Sequence, residues 1–254
     1  MAFSLLVDTF KVNSDITIVT SDAINTSGVD LLVLGAHSYG GTAPAISDSK
    51  SNSWTALTLQ QGGVGSRMRI YYTVSPTVGS GHTFTVSGGG VAIYPVVTVF
   101  GFSGVKLASP FDQENGAGAV TVSSLATGSV TPSEDNELLV AFASTNVEDV
   151  TAVSASFTLV HHGPNTAPSV GFGSSYQIQT TATARNPSFT FAASDGSVAA
   201  AVATFKAAAG GGGGVVRQML AHEHMSARSF RPEHAQQARQ RQQFIIGRAL
   251  GKAA

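Results

Sequence analysis

Up to residue 209 the apolar residues come in short runs, broken about every 8–12 residues by clusters of Gly, Pro, Asn and Ser, and no run keeps the 3.6-residue period of a helix. That spacing leaves little room for βαβ units and predicts an all-β body, a β-sandwich of jelly-roll-like type. Residues 3–12 and 16–20 are β-branched or apolar and are separated by the turn cluster Asn13-Ser14-Asp15. Residues 31–36 are apolar without alternation, which predicts a strand covered on both faces. Residues 54–59 alternate, and 68–74 carry Tyr71 and Tyr72 on opposite faces. Residues 82–87 and 91–102 read as a hairpin joined by Gly88-Gly89-Gly90.

The body also repeats itself. Asp30-Leu31-Leu32-Val33 corresponds to Asn136-Glu137-Leu138-Leu139-Val140, Trp54-Thr55-Ala56-Leu57 to Phe157-Thr158-Leu159-Val160, and Arg69-Ile70-Tyr71-Tyr72 to Ser175-Tyr176-Gln177-Ile178. Phe84-Thr85-Val86-Ser87 corresponds to Phe189-Thr190-Phe191-Ala192. The offset stays near about 104–106 residues, which unrelated β-segments would not maintain. Half-repeats of about 30–104 and 136–207 follow, with 109–133 as the crossing connection. They could form two small domains or one sandwich with a pseudo-twofold relation. One sandwich is the expectation, because a half alone would leave much of an apolar face uncovered.

At Gly210-Gly211-Gly212-Gly213-Gly214 the chain changes character. Five glycines suit neither a helix nor a strand interior, because Gly loses the most backbone freedom on ordering. The body, 1–209, carries seven of the 14 Lys and Arg but 13 of the 15 Asp and Glu, a balance of −6; the tail, 215–254, carries seven against two, a balance of +5. In the tail Val216, Met219, Leu220 and Ala227 fall on one helical face. Beyond Arg231-Pro232-Glu233, a helix-start signature, Ala235, Ala238, Ile245, Ile246, Ala249 and Leu250 make an apolar stripe beside Arg241 and Arg248. An amphipathic helix of about 19 residues with no core of its own reads as an arm that docks on a partner. Arg228, Arg231, Arg239, Arg241, Ile245, Ile246, Arg248 and Leu250 are the partner-binding candidates. A basic arm also suits nucleic acid or anionic lipid, but Arg placed beside an Ile/Leu stripe favours a protein groove.

Composition narrows the setting. Charged residues are 11% of the chain, less than half the usual share, so Ser, Thr, Asn, Gln and Gly cover the surface. There is no cysteine, hence no disulfide framework and no thiolate metal site, and folding in a reducing host cytoplasm is expected. The N-terminus lacks a basic region before its apolar run, and no stretch approaches the length of a membrane span.

No motif predicts catalysis or a cofactor. His222-Glu223-His224 lacks the four-residue helical spacing of zinc-binding histidines and reads as a solvated face. His161-His162 stands at a strand end where neighbours face opposite ways. His37-Ser38-Tyr39 lacks the Gly-x-Ser-x-Gly elbow of a hydrolase. Asp48-Ser49-Lys50-Ser51-Asn52 spaces oxygens as a calcium loop would but has one carboxylate, and reads first as a hairpin turn. Among Trp54, Tyr39, Tyr71, Tyr72, Tyr94 and Tyr176, Trp54 and Tyr72 are the candidates for stacking on a sugar ring; the alternative for all is a place in the core.

The segments 48–55, Pro76-Thr77-Val78-Gly79, His82-Thr83-Phe84-Thr85, Ser109-Pro110-Phe111-Asp112-Gln113 and 131–139 resemble a β-sandwich family carried by tailed bacteriophages and by environmental bacterial sequences. The resemblance covers roughly 20–208, leaves out the tail, and rests on turns and strand starts. It implies a fold and a virion setting, not a reaction. The expectation is a non-enzymatic virion structural protein, a head decoration, head fibre or tail component. Its partners would be other virion subunits in a homo-oligomer, with nucleic acid and membrane disfavoured. The alternative is a carbohydrate- or receptor-binding module, with a host-surface glycan as ligand and the tail as its attachment.

Overall fold

The computed structural model describes residues 2–12, 17–88, 93–154, 156–163 and 170–209. These residues form antiparallel β-sheets and no helix. The chain divides into compact units at 1–209 and 210–254. The second unit lies outside the described residues, and with it the expected helix and all eight partner-binding candidates, Arg228 through Leu250.

The first half runs β1 (Ser4–Val12), β2 (Ile18–Thr20), β3 (Leu31–Tyr39), β4 (Ala45–Asp48), β5 (Thr55–Ala56), β6 (Gln60–Gln61), β7 (Ser66–Val74), β8 (Phe84–Ser87) and β9 (Val96–Ser103). Its larger sheet has the order β1-β9-β3-β7-β5, with β6 also on β7, and its smaller sheet the order β2-β8-β4. The second half runs β10 (Phe111–Ala119), β11 (Val122–Ala126), β12 (Leu138–Thr145), β13 (Val150–Val153), β14 (Thr158–Gly163), β15 (Gly171–Ile178), β16 (Ser188–Asp195) and β17 (Val198–Phe205). Its sheets have the orders β10-β17-β12-β15-β14 and β11-β16-β13. Strand for strand, with β14 standing where β5 and β6 stand, the two orders are the same.

Side-chain alternation then builds four layers around three main cores. In β3, Leu32, Leu34 and Ala36 point toward the smaller sheet and pack with Phe84, Val86 and Val19. Leu31 and Val33 point the other way and meet Leu138, Val140 and Phe142 of the second half. β12 repeats the arrangement: Leu139, Ala141 and Ala143 pack with Phe189 and Phe191 of their own smaller sheet. The two larger sheets are therefore covered on both faces, which is why β3, β9, β12 and β17 read as unbroken apolar runs. The smaller sheets bury one face, and β8 alternates accordingly.

The single two-sheet interior expected from the sequence is replaced by three. Each half closes its own sandwich, and the apolar face thought to need the other half is the outer side of a shared middle core. Two further expectations are corrected. β8 and β9 belong to different sheets, so 82–102 is an arch between layers and not a hairpin. The presumed connection 109–133 holds β10 and β11.

Where the halves touch most closely, side chains are missing. A Cβ on Gly35 in β3 would stand 2.5 Å from Cδ1 of Phe142 in β12, and one on Gly118 in β10 would strike the Gln61 carbonyl. At the neighbouring turns Ser66 and Ser197 exchange hydrogen bonds: Ser66 N–H donates to Ser197 Oγ at 2.7 Å, and Ser66 Oγ to the Ser197 carbonyl at 2.6 Å.

Candidate functional site

The aromatic candidates lean on cores. Trp54 packs edge-on against Phe84, with centroids 6.2 Å apart, and its Nε1 donates to Asp48 Oδ2 at 2.7 Å. Tyr72 stacks on Phe111 at 5.7 Å and meets Phe205 edge-on at 5.2 Å. Trp54 belongs to the outer core of the first half and Tyr72 to the middle core, so the two stand on opposite sides of one sheet and share no platform. Tyr71 packs in the same outer core and its hydroxyl donates to the Pro44 carbonyl; Tyr176 packs against the middle core. Tyr39 and Tyr94 pack on the small cluster of Val96, Val170 and Phe172.

The histidines separate likewise. His37 is fully buried, and its Nε2 lies 3.1 Å from Thr98 Oγ1. His161 and His162 lie within β14; His161 Nε2 approaches Asp8 Oδ1 at 2.6 Å in a geometry too bent for a hydrogen bond.

A hydroxyl–imidazole–carboxylate chain does exist, at residues the sequence did not pair. Thr26 Oγ1 lies 2.9 Å from His82 Nδ1, and His82 Nε2 lies 3.0 Å from Asp48 Oδ1. Asp48 also accepts from Lys50 N–H at 2.8 Å, Asn52 Nδ2 at 3.1 Å and Trp54. Burial pushes the Asp48 carboxyl up, but the hydrogen bonds from Trp54, His82 and Lys50 outweigh it and hold the pKa below its usual value. The side chains of Thr26, His82 and Asp48 are enclosed, so the hydroxyl has no access to a substrate. This chain fastens three loops. The same carboxylate, with both oxygens facing donors, accounts for the oxygen-rich 48–52 turn without calcium.

The second half gathers a different set at the ends of its strands. Asp112 is the second residue of β10, Glu137 immediately precedes β12, and Lys206 immediately follows β17. Lys206 Nζ lies 3.2 Å from Asp112 Oδ1 and 3.7 Å from Glu134 Oε1. Ser133 donates twice to Asp112, from N–H to Oδ2 at 2.8 Å and from Oγ to Oδ1 at 2.7 Å. Glu137 is fully buried, and its Oε1 accepts the Glu134 N–H at 3.0 Å. Its Oε2 has no well-aligned hydrogen-bond partner among the described residues. The Thr204 hydroxyl and the Asp112 carboxyl both lie against Glu137, and a proton between the two carboxyls satisfies both. Burial pushes both carboxyls up. For Asp112 the hydrogen bonds from Ser133 and Lys206 prevail and its pKa falls; for Glu137 burial and the neighbouring Asp112 charge prevail over the Glu134 N–H and its pKa rises. One end of the second half thus holds an acid whose pKa is raised, a carboxylate whose pKa is lowered and a lysine whose pKa the Asp112 contact raises.

By strand register the corresponding places in the first half are Leu6, Asp30 and Ser103, none of which carries an amine; Asp30 Oδ2 accepts the Gly104 N–H at 2.9 Å. No sequence motif marks the second-half set, because its members are strung across 112–206 and meet through strand order alone. Among the described residues no cluster of His, Asp and Glu is arranged to hold a metal ion. Comparison of the chain with protein-family models, with curated proteins and with solved structures finds no match.

Proposed function

We propose that the chain is a non-enzymatic virion structural protein of a tailed phage. Its β body faces outward, and its basic tail anchors it to neighbouring capsid or tail subunits within a homo-oligomer. The observation that carries this reading is a coincidence of boundaries. The chain divides into compact units between Ala209 and Gly210, where five glycines begin and the charge balance turns from −6 to +5. A body with one sign of charge and a tethered arm with the other suits a subunit held by its arm to something else.

The strand order adds support at the level of fold. In each half the first strand pairs with the last, the second with the next to last and the third with the one before that, as β1–β9, β2–β8 and β3–β7. This is the winding of a jelly roll, here twice, with the halves read as pseudo-twofold mates. Jelly rolls serve viral capsids and lectins alike, so the likeness is one of architecture and not of activity.

The test is light-scattering mass across a size-exclusion column, with the full chain compared to one ending at Ala209. The expected result is a defined oligomer for the full chain and a folded monomer for the shorter one. Two identical monomers would remove the anchor role from the tail.

A further inference from the structure

We propose that Lys206 and Asp112 join as an intramolecular isopeptide cross-link, with Glu137 as the proton relay. The two reacting groups sit at ion-pair distance, 3.2 Å from Nζ to Oδ1, with the Asp112 carbonyl carbon one bond further on. They are held there by more than their charges. Phe111 and Phe205, next to them in sequence, are partners across β10 and β17, and Phe205 lies in the middle core with Phe111 packed against it. Lys206 N–H donates to the Pro110 carbonyl at 2.7 Å, which fixes the backbone on both sides of the amine. Two groups so placed react at effective concentrations on the order of 10^5 M or more, which offsets the preference of amines and acids in water to stay apart.

The step balances without any co-reactant. The ion pair holds Asp112 ionised and Lys206 protonated, each by its bond to the other, so the first step is the uphill one: Lys206 passes a proton across the contact to Asp112, giving a neutral amine and a neutral acid. The Nζ lone pair then adds to the Asp112 carbonyl carbon, forming the N–C bond. The oxygen that becomes negative is held by the Ser133 N–H, 2.8 Å from Oδ2 in the starting state. Glu137, in contact with Asp112 and protonated for this step, gives its proton to the departing hydroxyl and recovers one from the nitrogen. The C–O bond breaks and water leaves. The products are one amide, one water and an unchanged Glu137; no atom is oxidised or reduced.

Accessibility separates this pair from its neighbour. Lys106 Nζ and Glu134 Oε1 are also 3.2 Å apart, but their side chains are 42% and 45% exposed, whereas those of Lys206 and Asp112 are 20% and 9% exposed. Water reaches the first pair more freely than the second, and the buried Glu137 turns its carboxyl contact to Asp112 while taking only the backbone N–H of Glu134. The first half, with Leu6 and Ser103 in the corresponding places, cannot form the bond at all. The cross-link would close the first and last strands of the second half into a ring just before the glycines. A pull on the tail would then reach β10 through a covalent bond and would not peel β17 from its sheet.

Intact mass spectrometry of the denatured full chain reads the bond directly. The expected mass is about 18 Da below that of the sequence, one water lost. Trypsin should then release 107–185 and 186–217 as one branched species, because an acylated Lys206 is not cleaved. Lys206→Arg keeps the ion pair and Glu137→Gln keeps the shape; both should restore the full mass and separate the peptides. A wild-type chain of full mass, or an 18-Da loss that persists in Lys206→Arg, overturns the cross-link. Bond formation undiminished in Glu137→Gln overturns the relay.

Discussion

His37 stands in β3 with its ring edge-on to Phe142 at 6.2 Å and to Phe172 at 5.9 Å, both from the second half. Burial lowers its pKa from 6.5 to about 3, with the Ala143 backbone opposing the shift in part. In the unfolded chain the imidazole takes a proton near pH 6.5, while in the fold it stays neutral far below that. Its contribution is therefore complete above pH 6.5 and is lost as the pH falls toward 3, at about 1.4 kcal/mol per unit. The Asp48 carboxylate, whose pKa is depressed, contributes above its ordinary 3.8 and is lost only below it; Glu137, whose pKa is raised above 4.5, adds a pH dependence common to wild type and variant, so the difference between the two isolates the histidine. Urea unfolding at pH 7 and pH 5 should show wild type losing about 2 kcal/mol more than His37→Gln. Equal losses in both proteins would mean that the imidazole is protonated without opening the interface.

Strands carry the next prediction. Gly35→Ala would bring a methyl group to 2.5 Å from Phe142 Cδ1 and 2.6 Å from Thr98 Oγ1, overpacking worth about 1–3 kcal/mol. Phe142→Leu in the same chain should return part of that loss, so a double-mutant cycle by urea unfolding should give a coupling of about 0.5–3 kcal/mol. Strict additivity would place the strain at Thr98 instead. This is also the scale at which the sequence is most and least readable. The unbroken run 31–36 announces a strand covered on both faces, and β3 is one. β10, with Asp112-Gln113-Glu114-Asn115-Gly116-Ala117-Gly118, announces nothing: it is an edge strand whose value to the fold is close backbone approach, which apolar periodicity does not register. Trp54 and Tyr72 are visible as large aromatics, but which face each uses depends on sheet partners. Asp112, Glu137 and Lys206 are visible only as scattered charges, since their meeting is a product of strand order.

At the scale of the molecule, the middle core is the joint dependency of the two halves. Leu31, Val33, Met68, Ile70 and Phe100 of the first half share one core with Leu138, Val140, Phe142 and Phe205 of the second, so each set is covered in part by the other half. Fragments 1–108 and 109–209 made separately should each lack a cooperative thermal transition by near-ultraviolet circular dichroism, and should recover one on mixing. A first fragment that melts cooperatively alone would show that its outer core suffices. The same joint has a second consequence. Residue 35 and residue 142 occupy the same position in the two halves, and it is there that the halves meet. If two first halves from different chains closed on each other, glycine would face glycine across a hole; if two second halves did, phenylalanine would collide with phenylalanine. Only unlike halves mate, so a first half never pairs with its like from a neighbouring chain, however densely the chains are crowded.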